Sequence, residues 1–538
     1  MIHPWQKRAV WGIGIAVAFV LLSLMYAYAS RYYPLNSDTA NAILEARDVV
    51  QGNVLLSHWH LTTVSYFTTD ILPVAFGLLF QPFRPGSEHN IYGAIYAIVV
   101  LLSVWLASRR PSIRRYSAPG ALAAFAVLAF PAPDQGQWLL LGPLHGGTML
   151  WIIPALLALD FTVPATSSIG RRAWVRLVAA AICLALALIG DTMALYIALG
   201  PIALVSLLRL RSRQGNRFQE FAILGVCVTA EILSKAFQFL ISRLHGYQIP
   251  PESGAEHVAF VAFDHLAENI RYALQGLLRI FNADFFGMGV GRAVLIPLLS
   301  FAGLLLILRC LQSAITTLGA DQTANPGTAP LDRIVAIVAI GMVIDVVCYA
   351  LCNLLIGLAT LRYLVPFSIY AGVLAGRYGA ELWHGIQDGR GKREVAAVFL
   401  LAAAAWCFPF AARALKVPLP GPSAEAQLGS WLQARGLTDG YAGYWAATSV
   451  TVETSGAVRI YPVSASNGGF EPFLWAADER WYTRKPVRFL VVEDTAFAGV
   501  DLKNATAAFG RESARYRVAR FTILVWDKDI SALLKQGT

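Results

Sequence analysis

The sequence has few charged residues for its length. Asp, Glu, Lys and Arg make up 14% of its 538 residues, and hydrophobic residues make up 57%. Ordinary soluble domains carry roughly 25% charged residues, so a soluble globular protein is excluded. The hydrophobic residues also form long runs, which is typical of membrane-spanning helices.

Acidic residues are scarcer than basic ones, which leaves a formal net charge of +10. That charge alone is compatible with binding to nucleic acid. The Lys and Arg residues, however, lie in short clusters between hydrophobic runs, and such clusters mark the cytoplasmic loops of membrane proteins. We therefore expect the lipid bilayer as a partner and no nucleic acid.

Cysteine is rare and is absent after Cys407, so the C-terminal part of the chain carries no sign of its redox compartment. Cys348 and Cys352 could lie on one helix face, but no His or further Cys accompanies them. Small, apolar-like side chains in a helical bundle are a better interpretation than a metal site. The C-terminal part also lacks a Walker motif, a Gly-rich nucleotide loop and a metal motif.

The basic clusters predict the topology. The first hydrophobic run, near residues 10–28, follows Lys7 and Arg8, which predicts a cytoplasmic N-terminus. Residues 31–90 then form one extracytoplasmic segment, in which residues 63–83 lie along the membrane interface or dip into the helical bundle. The next strong run leads into a cluster that should also be cytoplasmic: Arg109, Arg110, Arg114 and Arg115.

Hydropathy and loop charges predict about eleven transmembrane helices. An odd number of crossings places the C-terminus outside. We expect a polytopic α-helical membrane module over residues 1–415 and a soluble α/β domain over residues 416–538. The predicted spans lie near residues 10–28, 91–107, 121–132, 148–161, 178–189, 194–208, 221–241, 290–308, 334–357, 364–375 and 395–412.

The composition changes from Pro418 onward, where short runs of β-forming residues alternate with helical patterns. The aromatic segment at residues 440–445 could stack on sugar rings or pack in the domain core. Helices are predicted at residues 424–435, 502–509 and 530–534. Strands are predicted at residues 450–453, 457–463, 487–492, 516–519 and 521–526.

The first outer segment contains the most informative polar residues. Asp38 follows Asn36 and Ser37 just after the first span, at the outer face of the membrane. A carboxylate there could act as general base for an acceptor hydroxyl, or help to hold a divalent cation on a phosphate. The same residues precede a helical pattern, so Asp38 could instead cap or begin that helix, which does not exclude catalysis.

This arrangement resembles the GT-C superfamily of membrane glycosyltransferases, which take sugars from polyprenyl-phosphate donors. The Asn-Ser-Asp38 motif sits where the catalytic acidic motif of that superfamily sits. Gly52, Asn53 and Trp59 resemble the segment that follows it in bacterial members. The resemblance covers the spans and the first outer segment, but the sequence lacks a paired Asp-Glu at the key position.

The resemblance implies inverting transfer of a sugar to a glycan, lipid or protein acceptor, in a bacterial inner membrane with the C-terminal domain in the periplasm. Asp38 would deprotonate the acceptor hydroxyl, which attacks the anomeric carbon as the lipid phosphate leaves. The phosphate needs cationic or hydrogen-bonding partners, for which the candidates are Arg362, Tyr363 and Arg279. Snorkelling to the membrane interface is the alternative explanation for Arg362.

Further outer residues are candidates for acceptor binding or for support of the site: Asp70, His58, His60, His145 and Asp191. On a strand, His58 and His60 would share a face and could hold a metal with a carboxylate. An interfacial Trp59 with polar neighbours explains that pattern as well. A divalent cation, Mg²⁺ or Mn²⁺, is one option for the catalytic site, with Asp38 and Asp70 as its ligands.

Ionisable residues inside predicted spans support a rival function, a transporter or a flippase for lipid-linked sugars. These residues are Glu231, Lys235 and Asp345, and intramembrane ionisable groups suggest function by default. Glu231 and Lys235 can, however, neutralise each other on one helix face. The sequence shows no inverted repeat and no matching pair of broken spans. A non-catalytic scaffold that presents the C-terminal domain is the third alternative.

Overall fold

The computed structural model describes residues 4–110, 115–142, 145–161, 169–212, 216–250, 258–319, 331–355, 357–386, 389–466, 468–483 and 486–535. Arg114 of the predicted cytoplasmic cluster lies outside these residues. A helical part extends to Lys416, and a part that mixes helices with a β-sheet follows it.

The described residues up to Lys416 are mostly helical. Their α-helices are α1 (Pro4–Ser30), α2 (Ser37–Val50), α3 (Leu72–Leu78), α4 (Ser87–Ser108), α5 (Ala118–Leu128), α6 (Pro133–Leu140), α7 (Gly146–Leu159), α8 (Arg171–Gly190), α9 (Gly200–Arg211), α10 (Arg217–Arg243), α11 (Leu266–Ile280), α12 (Leu295–Gly319), α13 (Arg333–Leu351), α14 (Val365–Leu374), α15 (Ala380–Gly385) and α16 (Gly389–Lys416). Short 3₁₀ or π-helical turns adjoin them at Phe67–Ile71, Leu195–Leu199, Phe263–His265, Arg292–Val294, Gly357–Leu364 and Ala375–Gly379.

Among the described residues, 8 helices are long enough and apolar enough to cross a bilayer, because a crossing needs about 20 apolar residues. Large apolar side chains such as Val20 and Leu24 of α1 point outward and are exposed, as expected where lipid covers them. The chain is therefore a multi-pass membrane protein. These helices are Ala9–Ser30, Ser87–Ser108, Arg171–Gly190, Arg217–Arg243, Arg292–Leu318, Arg333–Leu351, Gly357–Trp383 and Gly389–Lys416.

Each predicted span coincides with a helix. Those predicted near residues 121–132, 148–161 and 194–208 coincide with shorter helices, namely α5, α7 and α9 with the π turn before it. The interfacial segment predicted at residues 63–83 contains the helix Phe67–Leu78, which is also shorter than the crossing helices. Helices of this length reach only part of the way through a hydrocarbon layer about 30 Å thick.

The part after Lys416 contains a six-stranded sheet with the strand order β6-β5-β4-β8-β10-β9. Its central strand β4 runs parallel to both neighbours, and the outer pairs are antiparallel. The strands in the chain are β1 (Trp59–His60), β2 (Arg109–Arg110), β3 (Arg115–Tyr116), β4 (Asp439–Ala442), β5 (Arg459–Ser466), β6 (Gly469–Pro472), β7 (Ala477–Asp478), β8 (Phe489–Glu493), β9 (Ala514–Val518) and β10 (Phe521–Val525).

Helices cover both faces of the six-stranded sheet, which gives the α/β organisation expected for this part. α17 (Ala424–Gln433) and α18 (Tyr444–Glu453) pack on one face, and α19 (Leu502–Phe509) packs on the other. Leu428 and Val450 are fully buried on the first face, and Phe470 and Phe509 stack on the second. Short 3₁₀ turns complete this part at Glu479–Tyr482, Phe497–Gly499 and Ser531–Leu533.

The strand predicted at residues 450–453 is wrong, because these residues form the last turn of α18. Val450, Thr451 and Val452 are β-branched and favour strands. α18 is, however, packed between α2 and β5, and burial on several sides outweighs a weak local preference. The aromatic segment at residues 440–445 divides: Tyr441 and Tyr444 are buried, whereas Trp445 is half-exposed.

The first outer segment and the sheet-containing part are joined directly. β1 pairs with β7 in an antiparallel two-stranded sheet, with Trp59 opposite Asp478 and His60 opposite Ala477. α2 packs along α18 at a second contact. The segment that carries Asp38 therefore lies between the membrane helices and the C-terminal sheet.

Candidate functional site

Helix α2 carries Asp38 in its first turn. Asn36 is the residue that caps this helix, because its side chain accepts a hydrogen bond of 2.9 Å from the backbone N–H of Thr39. The capping role that was an alternative for Asp38 is therefore wrong, although Asp38 does lie at the start of the helix. Its half-buried carboxylate is left for other partners, in a position that the helix dipole favours for a negative charge.

Arg362 lies on the 3₁₀ turn Gly357–Leu364, which leads into α14. Its guanidinium donates a hydrogen bond of 3.3 Å to the Tyr363 hydroxyl, and its Nε is buried without a hydrogen-bond partner among the described residues. The negative charge of Asp38 acts on this guanidinium electrostatically. Within the described chain, no ion pair neutralises Arg362 at contact distance. Such a half-buried cation is a ready partner for an anionic ligand.

His145 and Asp191 form a buried pair next to Tyr363. The His145 Nδ1 atom lies 2.7 Å from Asp191 Oδ2, and Thr148 donates its hydroxyl to the same oxygen. Burial opposes ionisation of Asp191, but the charge and hydrogen bond of His145 outweigh it and lower the pKa of Asp191. The His145 ring lies 5.1 Å from that of Tyr363, centroid to centroid. Its Nε2 has no hydrogen-bond partner in the described part of the chain.

Two buried carboxylates, Asp70 and Glu45, belong to the same region of the structure. Burial raises the pKa of Asp70 to about 8, and the charge of Asp191 adds to this. Burial raises the pKa of Glu45 to about 8 as well, with further contributions from the charges of Asp38 and Asp70. Sequence reasoning did not select Glu45, although its spacing from Asp38 on α2 places both on one helix face. Asp38, Glu45, Asp70 and Asp191 therefore belong to one electrostatic environment.

The expected divalent cation finds no complete set of ligands. Among the described residues, no group of three or more His, Cys, Asp or Glu side chains is arranged to hold a metal ion. The Asp38 carboxylate instead accepts a hydrogen bond of 2.6 Å from the Tyr444 hydroxyl.

His58 and His60 lie at a different place, against the C-terminal sheet. Both approach the carboxylate of Glu479, at 2.6 Å from His58 Nδ1 and 3.6 Å from His60 Nε2. The acidic neighbour of the two histidines is thus Glu479 and not Asp70. His58 also lines a cleft of about 790 Å³ whose other lining residues are Ser57, Gln238, Ile241, Ser242, His245, Gly246, Tyr247, Gln248, Ile249 and Glu479.

Asn53 and Trp59 help to hold residues 31–90 to the C-terminal part of the chain. Asn53 and Trp59 donate hydrogen bonds of 2.6 and 2.8 Å to Asp48 Oδ2. Arg480, which follows β7, donates to the same oxygen at 2.9 Å. The part of this segment that resembled a family motif therefore has a structural use in this chain.

Arg279 is already neutralised. Its guanidinium lies 3.2 Å from the Asp284 carboxylate and 3.5 Å from that of Asp134. Arg279 is therefore less available to a phosphate than Arg362 is. Asp284 lies in the turn that follows α11, and Asp134 lies in α6. The sequence did not predict that either residue contacts Arg279.

The three residues that supported a transporter do not share a site. Glu231 and Lys235 lie 3.9 Å apart on α10, and both side chains are exposed. Asp345 is buried in α13, where its carboxylate accepts a hydrogen bond of 3.0 Å from the backbone N–H of Phe367. Asp345 therefore has a partner that the sequence did not reveal, and it holds the first turn of α14.

Sequence comparison finds no matching family and no matching curated protein. Among solved structures, ArnT from Cupriavidus metallidurans bound to undecaprenyl phosphate matches with a TM-score of 0.54 and 14% identity, over 97% of this chain and 99% of that one. The apo state of that protein gives a TM-score of 0.44 at 13% identity, over 97% of this chain and 99% of that one. An Archaeoglobus fulgidus oligosaccharyltransferase tethered to an acceptor peptide gives 0.46 at 14% identity, over 94% of this chain and 74% of that one. The first likeness shows that this chain shares the fold of that ArnT structure.

Proposed function

We propose that this protein is an inverting glycosyltransferase that moves a sugar from a polyprenyl phosphate to an acceptor hydroxyl. The observation that carries the proposal is that the charge of Asp38 acts on a half-buried Arg362, which no ion pair neutralises among the described residues. The fold supports it, because the ArnT structure of the same fold contains undecaprenyl phosphate. The acceptor belongs to the class of glycans, lipids or proteins with a free hydroxyl.

The lipid phosphate binds at the cationic side of the site. The Arg362 guanidinium and the Tyr363 hydroxyl supply hydrogen bonds there. The His145 ring, whose Nε2 has no hydrogen-bond partner among the described residues, lies 5.1 Å from the Tyr363 ring. Charge-assisted hydrogen bonds of this kind are about twice as strong as neutral ones. Asp191 keeps the His145 ring fixed through Nδ1.

The transfer is a single displacement. The acceptor O–H gives its proton to the Asp38 carboxylate, and the acceptor oxygen attacks the anomeric carbon from the face opposite the phosphate. The bond between the anomeric carbon and the phosphate oxygen breaks, and its electron pair leaves with the phosphate. Arg362 stabilises the charge that develops on that phosphate. The products are the glycosylated acceptor and a polyprenyl phosphate.

The site lies at the extracytoplasmic face of a bacterial inner membrane in this proposal. The support is the basic cluster around Arg109 and Arg110 at the end of α4, which favours the cytoplasmic side. Along the chain, α2 follows α1 and precedes α4. Asp38 therefore lies on the side of the membrane where α4 begins, opposite the basic cluster at the end of α4. The C-terminal sheet, which contacts α2, is then periplasmic.

Replacing Asp38 with Asn tests the proposal. We expect Asp38→Asn to lower transfer about 10²–10⁴-fold, because the amide cannot accept the proton. The protein is reconstituted in vesicles with synthetic undecaprenyl-phosphate pentoses and hexoses and with bacterial envelope lipids and glycans as acceptors. Release of undecaprenyl phosphate and gain of sugar by the acceptors are followed by mass spectrometry.

The matched control is Asp264→Asn, which makes the same chemical change at an exposed carboxylate away from the site. It should transfer at the wild-type rate. Wild-type rates in a folded Asp38→Asn protein would contradict the assignment. Movement of intact lipid-linked sugar across the vesicle membrane, without release of undecaprenyl phosphate, would favour the flippase alternative instead.

A further inference from the structure

The C-terminal part of the chain reaches the candidate general base through one tyrosine. Tyr444 is the first residue of α18 and is only 3% exposed. Its hydroxyl donates a hydrogen bond of 2.6 Å to Asp38 Oδ1, and its backbone carbonyl accepts one of 2.6 Å from the Ser37 hydroxyl. Asn41 donates to the Tyr444 hydroxyl oxygen at 3.1 Å. Three residues of α2 thus bind this one tyrosine.

We propose that Tyr444 is a positioning residue of the active site, supplied by the C-terminal part of the chain. Its hydroxyl fixes Asp38 through Oδ1 and favours the ionised carboxylate, which leaves Oδ2 for the proton of the acceptor. This inference rests on the proposed function, because it assigns Asp38 the role of base. It also makes the C-terminal part a component of the site.

The hydrogen-bond pattern fixes the direction of the Tyr444 hydroxyl. Its oxygen accepts from the Asn41 amide, so its own hydrogen points to Asp38. Burial, together with the charge of Asp38, raises the pKa of Tyr444 well above its ordinary value. The hydroxyl therefore stays protonated and remains a donor throughout the physiological pH range.

The ring of Tyr444 is held from the other side by aromatic neighbours. The rings of Trp445, Phe473 and Phe497 lie 4.9, 5.7 and 6.3 Å from it, centroid to centroid. A tyrosine packed in this way cannot swing aside without disturbing the packing of β6 and the neighbouring turns. Tyr444 is therefore held in place as a support for Asp38 and does not move away to open the site.

The charged groups that face Asp38 act in opposite directions. Arg362 attracts the negative carboxylate from the turn before α14, and Tyr444 donates to it from α18. Glu45 on the same helix repels a negative charge when it is ionised itself. A hydrogen bond to an ionised carboxylate stabilises that form, so loss of the Tyr444 hydroxyl shifts the balance toward the protonated base.

Tyr444→Phe removes the hydroxyl and keeps the ring. We expect transfer to fall about tenfold and the acidic limb of the pH profile to move to higher pH, because a hydrogen bond to the charged carboxylate is lost. An independent readout is labelling of Asp38 by the membrane-soluble reagent dicyclohexylcarbodiimide, which attacks protonated carboxyl groups. Peptide mass spectrometry gives the midpoint of labelling against pH, which should rise in Tyr444→Phe.

Two variants separate positioning from loss of structure. Tyr461→Phe breaks an equivalent Tyr–Asp hydrogen bond of 2.7 Å to Asp439 within the C-terminal sheet. Ser37→Ala weakens the contact between α2 and α18 without removing the bond to Asp38. Both should keep the wild-type midpoint of Asp38 labelling.

The labelling readout does not depend on turnover, so the two proposals fail in different ways. An unchanged labelling midpoint in Tyr444→Phe, or a faster transfer rate in that variant, would overturn the positioning role. A shifted midpoint in a protein whose wild type transfers no sugar would retain the contact but refute the glycosyltransferase.

Discussion

Asp38 and Glu45 show how two carboxylates on one helix face acquire different properties. Asp38 is half-buried, accepts a hydrogen bond from Tyr444 and experiences the charge of Arg362. Glu45 is 5% exposed, and its pKa is raised to about 8 by burial and by the charges of Asp38 and Asp70. Glu45 is therefore protonated near neutral pH, which limits the negative charge beside the proposed base.

The raised pKa of Glu45 makes the protein less stable as the pH increases. The folded state keeps the proton between pH 4.5 and about 8, whereas the unfolded chain loses it. The stability of the wild type therefore falls through this range, and Glu45→Gln should avoid that loss. We expect the Tm of Glu45→Gln to exceed that of the wild type by several kelvin above pH 8 and to match it near pH 4.5, by tryptophan fluorescence in detergent.

The control for this prediction is Glu268→Gln, an exposed position on α11 whose side chain lies 3.8 Å from Arg271. It should shift the Tm little at any pH. A difference in Tm between Glu45→Gln and the wild type that stays constant with pH would argue against a protonated Glu45.

At the scale of elements, the site is assembled where α7 and α8 meet the π turn Phe67–Ile71. A Cβ at Gly190, the last residue of α8, would lie 2.6 Å from Thr69 Cγ2. At Gly147, the second residue of α7, it would collide with the Thr69 carbonyl. Trp151 of α7 also donates a hydrogen bond of 2.9 Å to the Thr68 carbonyl. Glycine at these two positions lets the turn bring Asp70 close to Asp191.

Gly147→Ala should therefore be destabilising, by about 1–3 kcal/mol as for overpacked interiors. Gly146→Ala is the matched control, because its Cβ would lie 3.8 Å from the nearest atom, the Trp138 carbonyl oxygen. That variant should be neutral or slightly stabilising, since Ala is favoured over Gly in helices. Thermal unfolding in detergent compares the two, and equal Tm values would contradict the close contact.

Sequence patterns predicted most elements but not all of their contacts. Hydropathy located the helices because a bilayer imposes one strong requirement, a long apolar run. The last turn of α18 was predicted as a strand, because Val450, Thr451 and Val452 favour strands and only the packing between α2 and β5 makes them helical. The partner of Asp345 was also missed, since a backbone N–H of another helix leaves no mark in the sequence.

At the scale of the whole molecule, polar contacts attach the C-terminal sheet to the first outer segment. Asp48 receives hydrogen bonds from Trp59 and Arg480, and the short strands β1 and β7 pair beside them. Glu479 adds its contacts to His58 and His60. These contacts hold the sheet in the position that lets α18 reach α2.

Arg480→Ala should loosen this junction. We expect backbone amides of β1 and β7 to exchange with deuterium about tenfold faster, because a hydrogen bond to a charged group is lost. Arg517→Ala is the control, since Arg517 forms an exposed ion pair of 3.0 Å with Asp494 within the sheet-containing part. Exchange in β1 and β7 that is equally fast in both variants would contradict a local role for Arg480.

The topology argument predicted which residues share a side of the membrane, and the structure brings several of them together. Asp38, Arg362, His145 and Asp191 lie in one environment, as a common outer location allowed. His58, His60 and Arg279 share that predicted side but contact other residues. Tyr444 belongs to the aromatic segment noted at residues 440–445, but its contact with Asp38 was not predicted, because charge and hydropathy determine the side of the bilayer and not the contact between distant segments.

The bond between Tyr444 and Asp38 joins residues 406 positions apart, so the order of synthesis determines when the site is complete. α2 leaves the ribosome early, whereas α18 follows the last membrane helix. A nascent chain that has not yet produced Tyr444 holds the proposed base without its support. Under the proposed function, transfer reaches its full rate only after α18 has been synthesised and has packed against α2.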